Sequence, residues 1–167
     1  GHGIPAEIID GLTEAIDAFF DLDLDTKKTY RTPPEINRGY SPPKSESLSL
    51  SLGVESATRM NDFFEAFNVG ATAADYPDSP DLPQPDYADN VWPDVPGFEQ
   101  KVQTYFGEAA RVARTMTSIF ADALGLESDF FAARTGHSLD VFRMNNYALP
   151  PGTDVTLDGD LTGMGEH

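Results

Sequence analysis

The sequence has 167 residues, of which 40% are hydrophobic, with eleven phenylalanines and no cysteine. Its 28 acidic and 11 basic residues give a formal net charge of −17. This charge repels phosphate backbones, which argues against a nucleic-acid partner, and the lack of cysteine excludes disulfides, zinc–thiolate sites and iron–sulfur clusters. No apolar run reaches the roughly 18 residues that a membrane span needs, so we expect no membrane partner.

The first predicted element is an amphipathic helix over residues 5–20. Pro5 suits a first helical turn, and apolar residues recur at helical spacing from Ile8 onwards. The next stretch alternates acidic residues over 21–25, as a calcium loop does, but has Thr26 where an EF-hand needs glycine. We therefore expect a helix that packs into the core and no calcium site after it.

Two stretches rich in proline interrupt the middle of the chain. Residues 31–53 are rich in proline, serine and glycine, which is typical of a loop with short extended pieces. Residues 75–97 predict a long irregular connection, and such a connection is uncommon in a compact domain unless it is functional or packed down. Trp92 is the expected anchor of this connection, because its large ring favours burial.

The clearest helix is predicted over residues 97–124. One of its faces is apolar throughout, and Gly125 stands where a helix commonly ends. Three of its side chains are expected to face the core: Phe106, Val112 and Phe120. Ser128 is then expected to cap a short helix through residues 129–134.

A strand with two different faces is predicted from Ser138. Arg143, Asn145 and Tyr147 share one face because side chains two residues apart point the same way, and Phe142 and Met144 share the other. The polar row of Arg143, Asn145 and Tyr147 has two interpretations: it is a solvated strand face, or it lines a cavity that binds an anion or carboxylate. A second strand is expected to begin near residue 161.

Six motifs in order make the chain recognisable. They are "GHGIP", "FFDLDLDTKKTY", "NRGYSP", "NVWPDVPGF", "RMNNYALPPG" and "GMGEH". Their order and spacing resemble the isopenicillin N synthase-like family of iron(II)/2-oxoglutarate oxygenases across the whole chain. The first residue of the opening motif is glycine where that family usually has asparagine, and Ala148 stands where plant members commonly have proline, which favours a bacterial type of subgroup.

The resemblance implies an α+β fold. Residues 1–137 would form a mostly helical N-terminal region that packs on a double-stranded β-helix, or jelly roll. Residues 138–167 would supply the first strands of that jelly roll, which is the catalytic core. The family's other metal ligands and its Arg-x-Ser motif would follow the last residue, so the sequence resembles a portion of an enzyme. That portion is expected to be inactive alone, with the C-terminal part of the same enzyme as its partner.

The resemblance also implies roles for individual residues. His167 matches the first histidine of the 2-His-1-carboxylate triad that holds iron. Asn145 and Tyr147 match positions that hydrogen-bond 2-oxoglutarate, and Arg143 is a candidate for contact with substrate, with a structural arginine between strands as the alternative. His2 is expected to be a structural histidine in an opening strand, and His137 a surface residue. None of the residues present is expected to act as a separate catalytic group.

The reaction that the resemblance implies is oxidative. Iron(II) and 2-oxoglutarate would be the cofactor and cosubstrate, with ascorbate as a further candidate, and an unactivated C–H bond of a small molecule would be hydroxylated, desaturated or closed into a ring. An oxidase that does not use 2-oxoglutarate and a non-catalytic binding domain are the alternatives. A cytoplasmic location is expected for such an enzyme.

Overall fold

The computed structural model describes residues 1–43, 45, 63–79 and 81–148. Within these ranges the chain is α+β. The helices are α1 (Ala6–Phe20), α2 (Leu24–Lys28) and α3 (Phe98–Ala123), and the strands are β1 (Gly39–Ser41), β2 (Glu65–Gly70) and β3 (Val141–Asn146). Two short 3-10 helices cover Ala73–Asp75 and Ala132–Arg134. No helix in the described part of the chain is both long enough and apolar enough to cross a membrane.

The three strands form one antiparallel sheet in the order β1-β2-β3. Tyr40 pairs with Phe67, and Phe67 in turn pairs with Met144, so these three side chains lie in one row across the sheet. All six residues of β2 are buried, and the strand lies in the centre of the sheet between β1 and β3. The sheet thus combines two strands from residues 1–137 with one strand from residues 138–167.

The core lies between one face of this sheet and helices α1 and α3. Phe19 of α1 is fully buried, and its ring meets the ring of Phe67 edge-on at 4.7 Å between centroids. Phe98 of α3 completes the cluster at 5.7 Å from Phe19. Each buried aromatic side chain of this kind contributes roughly 1.5–3 kcal/mol through removal of apolar surface from water. The predicted core-packing helix at residues 5–20 is confirmed.

The predicted bounds of helix α3 are confirmed, but its apolar face is not buried along its whole length. It begins after Gly97 and is followed by Gly125, and both glycines have positive φ, at 74° and 67°. Phe106 is half-buried against Phe142, and Val112 is half-buried. The prediction for Phe120 is wrong, because 52% of this residue is exposed. Helix α1 has 15 residues and α3 has 26; at about 1.5 Å per residue, α1 is too short to cover its partner.

The short helix predicted at residues 129–134 is present only over its last three residues, and Ser128 does not cap it. A turn leads instead to a 3-10 helix over Ala132–Arg134, which Phe131 precedes without a side-chain cap. The Arg134 guanidinium donates to the carbonyl of Phe130 at 2.6 Å, and the Thr135 hydroxyl donates to the carbonyl of Phe131 at 3.1 Å. These side-chain donors take carbonyls that a longer α-helix would use for its own backbone.

The acidic alternation and the proline-rich connection both have structural roles. Asp23 caps α2 by accepting from the Thr26 backbone N–H at 2.9 Å and from its hydroxyl at 2.6 Å, and these bonds lower the pKa of Asp23. In the connection, Trp92 is half-buried against the core, as predicted. Asn90 bonds both the N–H and the carbonyl of Gly70 at 2.8 Å, so it holds the connection against the end of β2.

Candidate active site

The polar row predicted on the last strand lies on the sheet face opposite the core. Arg143 is half-buried, whereas Asn145 and Tyr147 are exposed. Arg143 Nε donates to Asn145 Oδ1 at 2.9 Å, and Asn145 Nδ2 lies 3.4 Å from the Tyr147 hydroxyl. Met144, between them in sequence, is buried on the other face. The predicted alternation is therefore confirmed, and the three polar side chains form one hydrogen-bonded row.

Phe64 supports both ends of this polar row. It lies one residue before β2 and is only 6% exposed. Its ring centroid is 5.5 Å from that of Tyr147 and 5.3 Å from the Arg143 guanidinium carbon. A guanidinium at this distance from an aromatic face is attracted to it, so the ring restrains both outer residues of the row. The sequence did not predict a role for Phe64, because its contacts with Arg143 and Tyr147 depend on the pairing of β2 with β3.

A buried cluster around Glu65 fixes the strand from its other face. Lys27 forms an ion pair with Glu65 at 2.8 Å, and the Tyr40 hydroxyl donates to the same carboxylate. Asn146 Nδ2 also donates to Glu65, at 2.9 Å, which connects the cluster to β3 next to Asn145. Burial first, and then the hydrogen bond to Glu65, raise the pKa of Tyr40. The charge on Glu65 is thus satisfied by three side chains from three different elements.

A cavity of about 390 Å³ opens beside the polar row. Arg31 and Arg143 line it, together with Asn68 of β2, which pairs with Arg143 across the strands. The Asn68 amide nitrogen donates to Asn37 Oδ1 at 2.7 Å. The polar row and this cavity therefore meet at Arg143, on the sheet face opposite helices α1 and α3.

The predictions for the three histidines have different outcomes. His167 lies outside the described residues, so its role as a metal ligand stays a prediction. His137 is exposed, as expected, with its ring 6.3 Å from that of Tyr76. His2 is exposed and accepts from the Ile4 N–H at 3.1 Å, but it lies in no strand, which corrects the expected opening strand. Among the described residues, no three histidine or acidic side chains group closely enough to hold a metal ion.

Comparison with known proteins agrees with this arrangement. The family model described as non-haem dioxygenase in morphine synthesis N-terminal matches residues 1–95. Kihadalactone A synthase LFS of Citrus sinensis is 31% identical over 172 residues, which cover 99% of this chain and 48% of that protein. The chain spans less than half the length of the curated relatives it matches, such as this one.

Solved structures share the fold. A 2OG-Fe(II) oxygenase family protein from Caulobacter crescentus superimposes with a TM-score of 0.65 at 27% identity, covering 86% of this chain and 44% of that one. A full-length Neurospora crassa protein, solved in complex with α-ketoglutarate and thymine, gives 0.73 at 20% identity, covering 99% of this chain and 49% of that one. The chain belongs to the isopenicillin N synthase-like family of 2-oxoglutarate/Fe(II)-dependent oxygenases.

Proposed function

We propose that this chain is part of a non-haem iron(II) enzyme that uses 2-oxoglutarate to oxidise an unactivated C–H bond of a small molecule. The observation that carries the proposal is the hydrogen-bonded row of Arg143, Asn145 and Tyr147 on the sheet face opposite the core. Two further facts support it: the chain belongs to an oxygenase family, and a protein of the same fold was solved with α-ketoglutarate.

The donors in the polar row fit a carboxylate. The Tyr147 hydroxyl and the Asn145 amide offer neutral N–H and O–H donors, and Arg143 adds a positive charge at the cavity side of the row. In this proposal Asn145 and Tyr147 orient 2-oxoglutarate, and Arg143 contacts the substrate. Phe64 and the Glu65 cluster keep these donors in place, because each contacts the polar row or its strand directly.

His167 is the proposed ligand that this chain gives to the metal. A histidine imidazole suits iron(II), and two further ligands would have to converge on it. The bound metal would supply the activation of dioxygen and the oxidising power. The residues of this chain would position the two organic molecules and exclude water from between them.

The proposed fold extends the observed one. In this proposal the three-stranded sheet is the beginning of a jelly roll, residues 1–137 are its mostly helical N-terminal region, and residues 138–167 contribute its first catalytic strands. The polar row would then face the interior of the jelly roll. Its exposure in the described part of the chain agrees with a surface that further strands would cover.

Succinate formation tests this function and separates its alternatives. The full-length protein should convert 2-oxoglutarate to succinate when iron(II) and oxygen are present, and a chelator should stop the conversion. Substrate oxidation without succinate would instead identify an oxidase that does not use 2-oxoglutarate. Ligand binding with neither product would identify a non-catalytic binding domain. The same measurement on His167→Ala should give no succinate, with Lys28→Ala as the surface control.

A further inference from the structure

The cavity of about 390 Å³ beside the polar row has a lining of mixed chemistry. Its volume is within the range of small-molecule pockets. Threonine, serine and asparagine side chains supply polar groups, and the apolar part of the lining includes Pro33, Pro34, Ile36 and Pro42. The hydroxyls of Thr32 and Ser45 already donate to backbone carbonyls. The lining therefore suits a small molecule that has both a polar group and an apolar body.

Arg38, which lines this cavity, has one buried donor that lacks a partner. The residue is 3% exposed. Its two terminal nitrogens donate to the carbonyls of Asn37, Ala71 and Asp86, so the guanidinium is held in place. Its Nε is buried and has no hydrogen-bond partner among the described residues. Arg38 thus leaves one N–H donor available in a fixed position.

The Arg38 guanidinium lies beside the side chain of Asn68. A Cβ added to Gly70 would lie 2.6 Å from the Arg38 guanidinium carbon, so the guanidinium lies directly over Gly70. Gly70 and Asn68 are two residues apart in β2 and share one face of the sheet. Gly39, next to Arg38 in the chain, also pairs with Asn68. Arg38 and Asn68 are therefore neighbours on the face opposite the core.

Asn68 has a buried acceptor that lacks a partner. The residue is 4% exposed and lines the same cavity. Its amide nitrogen donates to Asn37 Oδ1 at 2.7 Å, whereas its own Oδ1 is buried without a hydrogen-bond partner among the described residues. Buried polar atoms in proteins are almost always paired, because an unpaired one destabilises the fold. Two neighbouring residues of this cavity thus present one unpaired donor and one unpaired acceptor.

The two unpaired atoms restrict the chemistry of a ligand. The N–H of Arg38 Nε needs an acceptor, and Asn68 Oδ1 needs a donor. A carboxylate or phosphate oxygen only accepts and an ammonium only donates, so each would leave one of the two atoms unpaired. A hydroxyl is the smallest group that both accepts and donates. The pair therefore favours a neutral hydroxyl group.

We propose that this cavity binds the hydroxyl group of a neutral small-molecule alcohol, to which Arg38 Nε donates and which donates to Asn68 Oδ1. The apolar body of the alcohol would lie against the proline-rich part of the lining. Its assignment as the substrate rests on the proposed function: the cavity meets the polar row at Arg143, so an alcohol bound here lies beside the proposed position of 2-oxoglutarate. The substrate class is then a hydroxylated molecule with an apolar body.

Binding of three probes to the full-length protein, with 2-oxoglutarate in excess, tests this inference. Benzyl alcohol accepts and donates, benzyl methyl ether keeps the accepting oxygen but cannot donate, and benzoate only accepts. We expect benzyl alcohol to bind about tenfold more tightly than the ether, because the ether leaves Asn68 Oδ1 unpaired. Benzoate should also bind more weakly than the alcohol, for the same reason.

Asn68→Leu should remove the preference for the alcohol over the ether. Asn90→Leu is the matched control, because Asn90 bonds both the N–H and the carbonyl of Gly70 and lines a different cavity, of about 690 Å³. This variant also loses an amide beside β2 and should keep the preference. A readout without substitution is the NMR signal of the Asn68 side-chain amide, which should shift with benzyl alcohol and stay in place with the ether.

Four results would overturn the proposal. Equal affinity for the alcohol and the ether would mean that a water molecule satisfies the two atoms. Tighter binding of benzoate than of the alcohol would mean that two donors face the cavity, as they do when the Asn37 and Asn68 amides are both turned over. The other two results are an equal loss of preference in Asn68→Leu and Asn90→Leu, and an Asn68 amide signal that does not respond to the alcohol.

Titration of 2-oxoglutarate alone separates this inference from the proposed function. A protein that binds benzyl alcohol through Asn68 but does not bind 2-oxoglutarate contradicts the function and retains the hydroxyl site. A protein that binds 2-oxoglutarate and shows no preference for the alcohol contradicts only the hydroxyl site.

Discussion

The two faces of the three-stranded sheet differ in almost every physical property. On the helix side, Phe67 and Met144 are buried against Phe19 and Phe98. On the opposite side, Arg143, Asn145 and Tyr147 form a hydrogen-bonded polar row beside a cavity that Arg31 and Asn68 help to line. Because neighbouring residues of one strand alternate between these faces, stability and proposed function depend on adjacent positions. Substitutions on the two faces should therefore have separate effects.

The largest expected effect is on the helix side. Phe67→Ala removes a ring with no exposed surface that contacts Phe19 and Phe98. We expect the free energy of unfolding to fall by about 4 kcal/mol, because the loss of apolar burial adds to the cost of a cavity. Urea denaturation followed by circular dichroism measures this change. A loss below about 1 kcal/mol would mean that Phe67 is not central to the core.

Removal of Lys27 should have the next largest effect. Lys27→Met leaves the buried Glu65 carboxylate without its cation, and the expected loss is about 3 kcal/mol in the free energy of unfolding. Adding Glu65→Gln to this variant removes the uncompensated charge and should recover part of the loss. A double-mutant cycle by urea denaturation gives the coupling, and strictly additive effects would contradict the ion pair.

Alkaline pH should weaken the same cluster through Tyr40. Its raised pKa means that the folded state keeps the phenol proton while the unfolded state loses it near pH 10. The stabilisation is therefore complete below about pH 10 and decreases as pH rises above that value. Tyr40→Phe should give a flatter decrease of melting temperature between about pH 9 and 11. An unchanged slope would show that Tyr40 does not contribute.

Local periodicity predicted the elements that carry both faces. The bounds of α1 followed from Pro5 and apolar spacing, and those of α3 from apolar spacing and Gly125. The faces of β3 followed from strand alternation. The burial of Met144 and the exposure of Tyr147 agree with that alternation. The assignment of Asn145 and Tyr147 to 2-oxoglutarate and of Arg143 to substrate came from resemblance, and it stays a prediction.

Contacts between segments that are far apart along the chain could not be predicted from the sequence. Strand β2 was not predicted because all six of its residues are buried, which removes the alternation that reveals a half-exposed strand. Glu65 has its partners in α2, β1 and β3, so its role depends on the completed fold. Phe120 was misplaced for the opposite reason: its spacing matches a buried stripe, but the described structure supplies no element that covers it.

The most direct test of the separation between the two faces compares Tyr147→Phe with Phe142→Leu in the full-length protein. Tyr147→Phe removes one exposed hydroxyl, so the Kd for 2-oxoglutarate should rise about tenfold while stability changes by less than about 0.5 kcal/mol. Phe142 lies on the helix side, with its ring 5.3 Å from that of Tyr105. Phe142→Leu should lower stability by about 1 kcal/mol and leave the Kd unchanged. If Phe142→Leu raises the Kd and Tyr147→Phe lowers stability instead, the polar row does not bind 2-oxoglutarate and the account of the two faces is contradicted.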